Sequence, residues 1–371
     1  VDKFTGKIMA IVHRKDEAAY GAVDLLVVGR FGSTSGLSGV STGSQVLNLV
    51  TFVVTQLAMG ITVLIARYLG EKKEEQIGSI IGGGTVVFAA ISLVLFVVMV
   101  GFARPIAVLM QAPEEAVGLT AAYIRICGAG IFFIVAYNVL SAIFRGLGDS
   151  NSPLLFVFVA CIVNIVGDLV LVAGLGMDAM GAALATVFAQ ALSVVFAIVR
   201  LVKKGLPFTI TGYDFRWNPQ CGKFLQIGLP LALQECLTQG SFLALCAFVN
   251  RLGLEASSGY GVACKIVNFA MLIPSALMQS TSSFVSQNVG AGEQKRAKKT
   301  MFTGIGIGLL VGCFAFSLVF FRGDLLAGIF SADAAVVQRG YEYLKGFAPE
   351  TLLTAVLFSM MGYFNGNNKT V

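Results

Sequence analysis

Ten stretches of this chain are long and apolar enough, or nearly so, to cross a lipid bilayer, and only short charged segments separate them. A hydrocarbon layer about 30 Å thick calls for about 20 mostly apolar residues in a helix that rises about 1.5 Å per residue. The stretches fall at residues 18–32 (short), 36–66, 78–103, 118–144, 153–175, 179–200, 223–250, 255–287, 300–321 and 335–364. Inside lipid each backbone N–H and C=O must be satisfied within the structure, so only helices and closed barrels can span, and runs of this length exclude barrel strands. An all-α polytopic membrane protein is therefore expected. Composition agrees, with 56% hydrophobic and 12% charged residues, outside the range of an ordinary soluble domain.

The basic residues orient the spans. Of 26 Lys and Arg, 18 lie in the segments on one side, five on the other and three inside helices. Because cytoplasmic loops collect Lys and Arg, the N-terminus is expected in the cytoplasm. These residues form short runs between apolar segments and not one basic face, so nucleic acid is not an expected partner despite the net charge of +6.

The sequence repeats itself. A shift of 220 residues pairs Lys3 and Phe4 with Lys223 and Phe224, Gly39 with Gly259, Asn48 with Asn268, Gly70 with Gly290, Tyr123 with Tyr343 and Gly146 with Gly366. The same shift lays the loop ARYLGEKKEEQ (66–76) on SQNVGAGEQKR (286–296). Two homologous six-helix lobes are implied, inserted with the same orientation because six is even, and substrate sites of such transporters lie between the repeats. The expected division is an N-terminal lobe at 1–202, a cytoplasmic linker at 203–222 and a C-terminal lobe at 223–371. Partners of the fifth and sixth helices would fall at about 373–420, so the sequence reads as a fragment with about ten spans, the last two of the second lobe missing. Residues 5–17, TGKIMAIVHRKDE, place five charged side chains and a histidine where the repeat calls for part of a span.

Chemistry concentrates at NIVGDLVLVAGLG (164–176), where Asp168 interrupts an apolar run. An aspartate at a helix centre costs about 2.5 to 3.5 kcal/mol, so it should face the bundle interior or water. Asn164 lies four residues earlier on the same helical face and offers a hydrogen-bond partner. Asp168 then either titrates or binds a cation, or is a packing residue satisfied by its neighbour. Glu235, in LPLALQECL, is read as a cavity counter-ion or as a residue near the cytoplasmic mouth. Glu350 follows Pro349, which either bends the helix as a hinge or is satisfied locally. Arg125 and Lys345, matched by the repeat, read as snorkelling anchors.

Other chemistries have little to be built from. Cys221 sits in the linker, the other six cysteines lie in or at the ends of apolar segments, and no CxxC occurs, so they read as small hydrophobes. His13 is the only histidine, which leaves almost nothing for a histidine metal site, a hydrolase or an intramembrane enzyme. IGGGT (81–85) and GIGIG (304–308) carry no lysine and follow no strand, so they read as close helix packing. No GxxxxGK[ST] is present, and any transport is expected to draw on an ion gradient, without a cofactor.

Several stretches, taken together and in order, resemble the multidrug and toxic compound extrusion (MATE) family of secondary transporters. They are YGAVDLLVVGRFG (20–32), the two matched cytoplasmic loops, FRGLGDSNSP (144–153), NIVGDLVLVAGLG, GMDAMGAALATVFAQ (176–190) and IGLPLALQE (227–235). The resemblance implies a twelve-helix antiporter of two lobes, working by alternating access as a monomer in a bacterial cytoplasmic membrane, with its N-terminus inside. It implies export of small organic cations or amphipathic drugs against an inward flow of H+ or Na+. Carried over residue by residue, it places ion coupling at Asp24, Asn164, Asp168 and Thr186, with Na+ as a candidate ligand of the last three. Asn138, Glu235 and Glu350 are further candidates for the cavity. The alternatives are a lipid-linked saccharide flippase of the same superfamily, whose cavity should be cationic, and a non-functional truncated product.

Overall fold

The computed structural model describes residues 28, 32–149, 151–203, 211–250, 254–329 and 334–367. Most of the first expected span, Asp24 with it, and residues 5–17 lie outside these. Among the described residues all regular structure is helical: α1 (Thr34–Gly70), α2 (Glu75–Gly101), α3 (Ala103–Leu109), α4 (Val117–Ala129), α5 (Ile131–Gly146), α6 (Asn151–Asp168), α7 (Asp178–Lys203), α8 (Pro219–Asn250), α9 (Leu254–Gly290), α10 (Gln294–Gly328) and α11 (Ala334–Gly366). A π turn, Leu169–Gly174, continues α6, and a 3-10 turn, Gly212–Asp214, precedes α8. Seven of the helices are long and apolar enough to span a membrane, and an eighth span results if α4 and α5 are counted as one. The 32-residue α8 also has the length of a span, and carries the polar run QECLTQGS.

The outer faces are those of a protein solvated by lipid. Large apolar side chains stand exposed along the helices, among them Val94 on α2, Phe188 on α7 and Phe314 on α10. In water such faces would drive association, whereas in hydrocarbon they cost nothing.

The chain divides into two compact units, residues 1–232 and 233–371. In the first, α1 packs on α4 and α5, and Ile61, Ile65, Ile80, Tyr123 and Ile124 are buried between helices. In the second, α9 packs on α11 and α10 around Ala263, Ile266, Leu344 and Ala348.

The 220-residue repeat is visible contact by contact. α1 and α9 begin and end 220 residues apart. The non-helical break at Phe102, between α2 and α3, recurs as the kink at Arg322 within α10. Gly146 closes α5 against Thr62 and Ile65, and Gly366 closes α11 against Ser282 and Val285, the same two positions in the repeat. Likewise Gly39 faces Leu119, and Gly259 faces Arg339.

One expected span is two helices. The run 118–144 breaks at Gly130, where α4 and α5 meet at 54°. A side chain at Gly130 would run into Val187 of α7, so the missing Cβ lets α7 approach the break.

At the linker end of the first unit, polar side chains fasten the segment after residue 210 to α1 and α2. The Ser79 hydroxyl donates to Asp214 Oδ1 (2.7 Å) and Asn218 Nδ2 donates to the Ser79 carbonyl (2.8 Å). Tyr68 donates to Gln220 Oε1 and accepts from Lys223 Nζ, both at 2.9 Å. Gly82 and Gly83 of the IGGGT stretch receive Asp214, Asn218 and Cys221, so these glycines do serve close packing, of the linker as well as a helix. Ser79 holds the Asp214 carboxyl below the ordinary aspartate range, helped by the Thr211 amide and hydroxyl, against a smaller upward push from burial. Nearby, burial raises Glu71 but ion pairs with Lys73 (2.9 Å) and Arg67 (3.0 Å) outweigh it and leave the carboxyl lowered.

At the opposite end of α1, Ser33 caps the helix by accepting from the Gly36 amide (2.9 Å) and donates its hydroxyl to Asp178 Oδ2. Asp178, with φ +52°, thereby sets its carboxylate at the N-terminus of α1, where a helix dipole favours negative charge.

Candidate functional site

Asn164 and Asp168 stand one turn apart on α6, and both are buried, Asp168 completely. Immediately after Asp168 the α-helix widens into the π turn 169–174, where the Leu175 amide reaches back five residues to the Val170 carbonyl (3.0 Å). Such widened turns are frequent at functional sites because they change which face a side chain presents without ending the helix.

α7 supplies the third group. Gly167 lies against Ala185, where an added Cβ would fall 2.9 Å from the Ala185 methyl, and this close approach brings Thr186 beside α6. Asn164 Nδ2 donates to Thr186 Oγ1 (3.5 Å), and that hydroxyl donates to the Ala182 carbonyl one turn earlier (3.0 Å). The Asn164 carbonyl oxygen is buried without a hydrogen-bond partner among the described residues. The Asn164 amide therefore reaches across to α7, where sequence spacing alone had paired it with Asp168. Gly130, the break between α4 and α5, seats against Val187, the next residue after Thr186.

A carboxylate, an amide oxygen and a hydroxyl are hard oxygen donors. With a single carboxylate, the set suits one proton or one monovalent cation better than a divalent ion. Among the described residues no three His, Cys, Asp or Glu side chains converge in a way that could hold a metal.

The other candidates are placed differently. Asn138 is buried on α5, where Nδ2 donates to the Ile134 carbonyl (2.8 Å) and Oδ1 accepts from Thr55 of α1 (2.7 Å). Both ends of its amide are engaged, one within α5 and the other joining α5 to α1. Glu235 is half-buried on α8 and accepts from Gln239 Nε2 (2.8 Å), and Glu350 is exposed on α11. Both belong to the second unit. Asp24 lies outside the described residues. The π turn, the break at Gly130 and the two fastenings at the ends of α1 escaped the sequence reading, because each depends on what faces the residue and not on its neighbours in the chain.

Comparison with known proteins points to one family. A model of the MatE family matches residues 11–170 and 230–371. The chain is 24% identical over 333 residues to the probable multidrug resistance protein YpnP of Bacillus subtilis, covering 90% of this chain and 74% of YpnP. It is 25% identical over 350 residues to the multidrug export protein MepA of Staphylococcus aureus, covering 92% of this chain and 76% of MepA. Its fold matches that of a MOP superfamily transporter from Pyrococcus furiosus with a TM-score of 0.92 at 21% identity, over 98% of this chain and 82% of that one. An outward-facing multidrug resistance MATE family transporter matches with a TM-score of 0.91, at the same identity and coverage. This integral membrane chain belongs to the MatE family of multidrug efflux transporters.

Proposed function

We propose that the chain is an ion-coupled antiporter, exporting organic cations or amphipathic drugs in exchange for H+ or Na+, with Asp168 as the group that takes up the ion. The observation that carries this reading is the full burial of Asp168 one turn from Asn164, with Thr186 on the facing helix. A carboxylate retained at such cost in a membrane protein is a functional group by default. Uptake of a proton or sodium ion neutralises it, and release restores the charge that admits a cation. For the ion to drive transport it must bind one of two alternating states more tightly than the other, and drug and ion are then coupled through that difference. Asp24 is proposed as a second carboxylate in the same role.

The proposed orientation has the N-terminus in the cytoplasm. Arg67, Lys73 and Lys223 gather at the linker end of α1, which is the arrangement the positive-inside bias requires if that end is cytoplasmic. All three described ion-site residues lie in one unit of one chain, which suits a monomer acting alone.

The test uses the purified chain in lipid vesicles containing a fluorescent organic cation, with a proton or sodium gradient imposed. The parent should move the dye in response to one of the gradients, and Asp168→Asn, nearly identical in shape, should insert normally and lose that response. A well-folded Asp168→Asn protein that still responds at the parental rate would make Asp168 a packing residue and remove the proposal.

A further inference from the structure

The two repeats bury different chemistry at matching positions. In the first unit Ile61 and Ala66 of α1 and Ile131, Ile134 and Val139 of α5 are buried. Their partners 220 residues on are Thr281 and Ser286 of α9 and Thr351, Thr354 and Ser359 of α11, all also buried. Five aliphatic positions have thus become five hydroxyls inside a membrane protein. Two of the five donate within their own helix, Thr351 to the Ala348 carbonyl (2.7 Å) and Ser359 to the Ala355 carbonyl (2.9 Å), which leaves their oxygens as acceptors in the interior.

These residues form a line. On α11 Thr351, Thr354, Ser359 and Asn365 are three, five and six residues apart, and on α9 Ser282 follows Thr281 directly with Ser286 four residues on, so the line runs along both helices without keeping to one strict face of either. The contacts of neighbouring glycines join them. Gly362 and Gly366 of α11 lie against Thr281 and Ser282, and Gly304 of α10 faces both the Thr281 and Ser359 hydroxyls, at 3.2 and 3.4 Å from where its Cβ would be. At the end of α9 and α11 that carries Ser286 and Asn365, two polar atoms, Ser282 Oγ and Asn365 Nδ2, are buried without a hydrogen-bond partner among the described residues. The contrast with the first unit is direct, because the partner of Ser282 is Thr62, whose hydroxyl donates to the Ala142 carbonyl (2.9 Å). Midway along the three helices the line ends in a small, mostly apolar cavity beside Pro274, whose polar side chains are Thr351 and Thr354. Pro274 has no N–H, so the Ala270 carbonyl at the cavity wall lacks its helical partner.

We infer that this seam between α9, α10 and α11 is a water-binding track, leading from the Asn365 end of the second unit to the cavity beside Pro274. Water suits each feature. It donates to the Ala270 carbonyl and to the Thr351 hydroxyl oxygen, whose proton is already given to the Ala348 carbonyl, and it fills the partnerships left at Ser282 and Asn365. Water in such a seam also supports a proline in a membrane helix, because it satisfies the backbone group that the proline frees.

The experiment is hydroxyl-radical footprinting of the chain in lipid vesicles by brief X-ray radiolysis of water, which oxidises side chains in contact with bound water even when they are remote from bulk. Met271 and Phe347 line the cavity, and Met59, buried in the first unit, is the internal control. Corrected for the intrinsic reactivity of each side chain, Met271 and Phe347 should be oxidised faster than Met59, and the double variant Thr351→Val and Thr354→Val, which leaves the exposure of Met271 to bulk unchanged, should lose that difference. Met271 and Phe347 oxidised no faster than Met59 in the unsubstituted chain would overturn the inference without recourse to any variant. So would an undiminished difference in the double variant.

Discussion

The Asn164 side-chain amide on α6 donates to the Thr186 hydroxyl on α7 across 3.5 Å, at the long limit for a hydrogen bond. A contact this slack can tighten when an ion enters between the helices. Thr186→Val keeps the shape and removes the oxygen. Because one neutral hydrogen bond contributes about 0.5 to 1.5 kcal/mol and 1.4 kcal/mol is tenfold in affinity, apparent affinity for the coupling ion should fall about two- to tenfold. Thr186→Ser should restore most of it. The ion-concentration dependence of dye efflux from vesicles measures this, and an unchanged dependence in Thr186→Val would place Thr186 outside the ion site.

The paired glycine seats allow a test of the repeat. Gly146 lies against Ile65 and Thr62, and Gly366 against Val285 and Ser282. Gly146→Val and Gly366→Val should each destabilise the protein by about 1 to 3 kcal/mol, the usual cost of overpacking. Gly118, with open space around it, is the control, and Gly118→Ala should leave stability unchanged or raise it. Thermal denaturation in detergent reads all three, and two valine variants as stable as the parent would show that the seats are not tight.

The fastening of the linker should be sensitive to acid. Asp214 has a lowered pKa in the folded chain, so the stability it contributes is complete above the ordinary aspartate value of about 3.9 and is lost as pH falls through the lower folded value. Trp217, the chain's one tryptophan, stands three residues further on and is exposed. Its fluorescence anisotropy should stay constant from neutral pH down through the ordinary aspartate range and fall only below it. Ser79→Ala removes the main cause of the shift and should move that midpoint upward. A midpoint insensitive to Ser79→Ala would mean that the Asp214 contact does not hold the linker.

Orientation can be read from a single cysteine once the seven native ones are replaced by serine or alanine. In the proposed topology Lys298 and Lys72 are both cytoplasmic, so a cysteine at either position should resist an impermeant thiol reagent in intact cells and react once the cells are opened. Labelling of Lys298→Cys in intact cells would reverse the orientation of the second unit.

Hydropathy and the 220-residue register were enough to read most of the described spans, though not the break at Gly130 within 118–144, because the need for about 20 apolar residues and the equivalence of repeated positions are properties of the chain itself. α1 and α9 confirm it, beginning and ending at matched residues. Asp168 was equally legible, since a carboxylate in an apolar run announces its own cost. Asn164 was named beside it by helical spacing and Thr186 only through the family resemblance, and which group bonds which was not legible. The amide of Asn164 bonds Thr186, 22 residues on, because Gly167 and Ala185 let α6 and α7 approach, and nothing between those residues in the chain encodes the approach. The break at Gly130 answers to Val187, the lowered Asp214 to Ser79, and the Asp178 carboxylate to Ser33 and the start of α1. Apolar length is a local quantity and can be counted along a sequence, whereas each of these pairings joins groups 22 to 145 residues apart and exists only once packing has decided which helices touch.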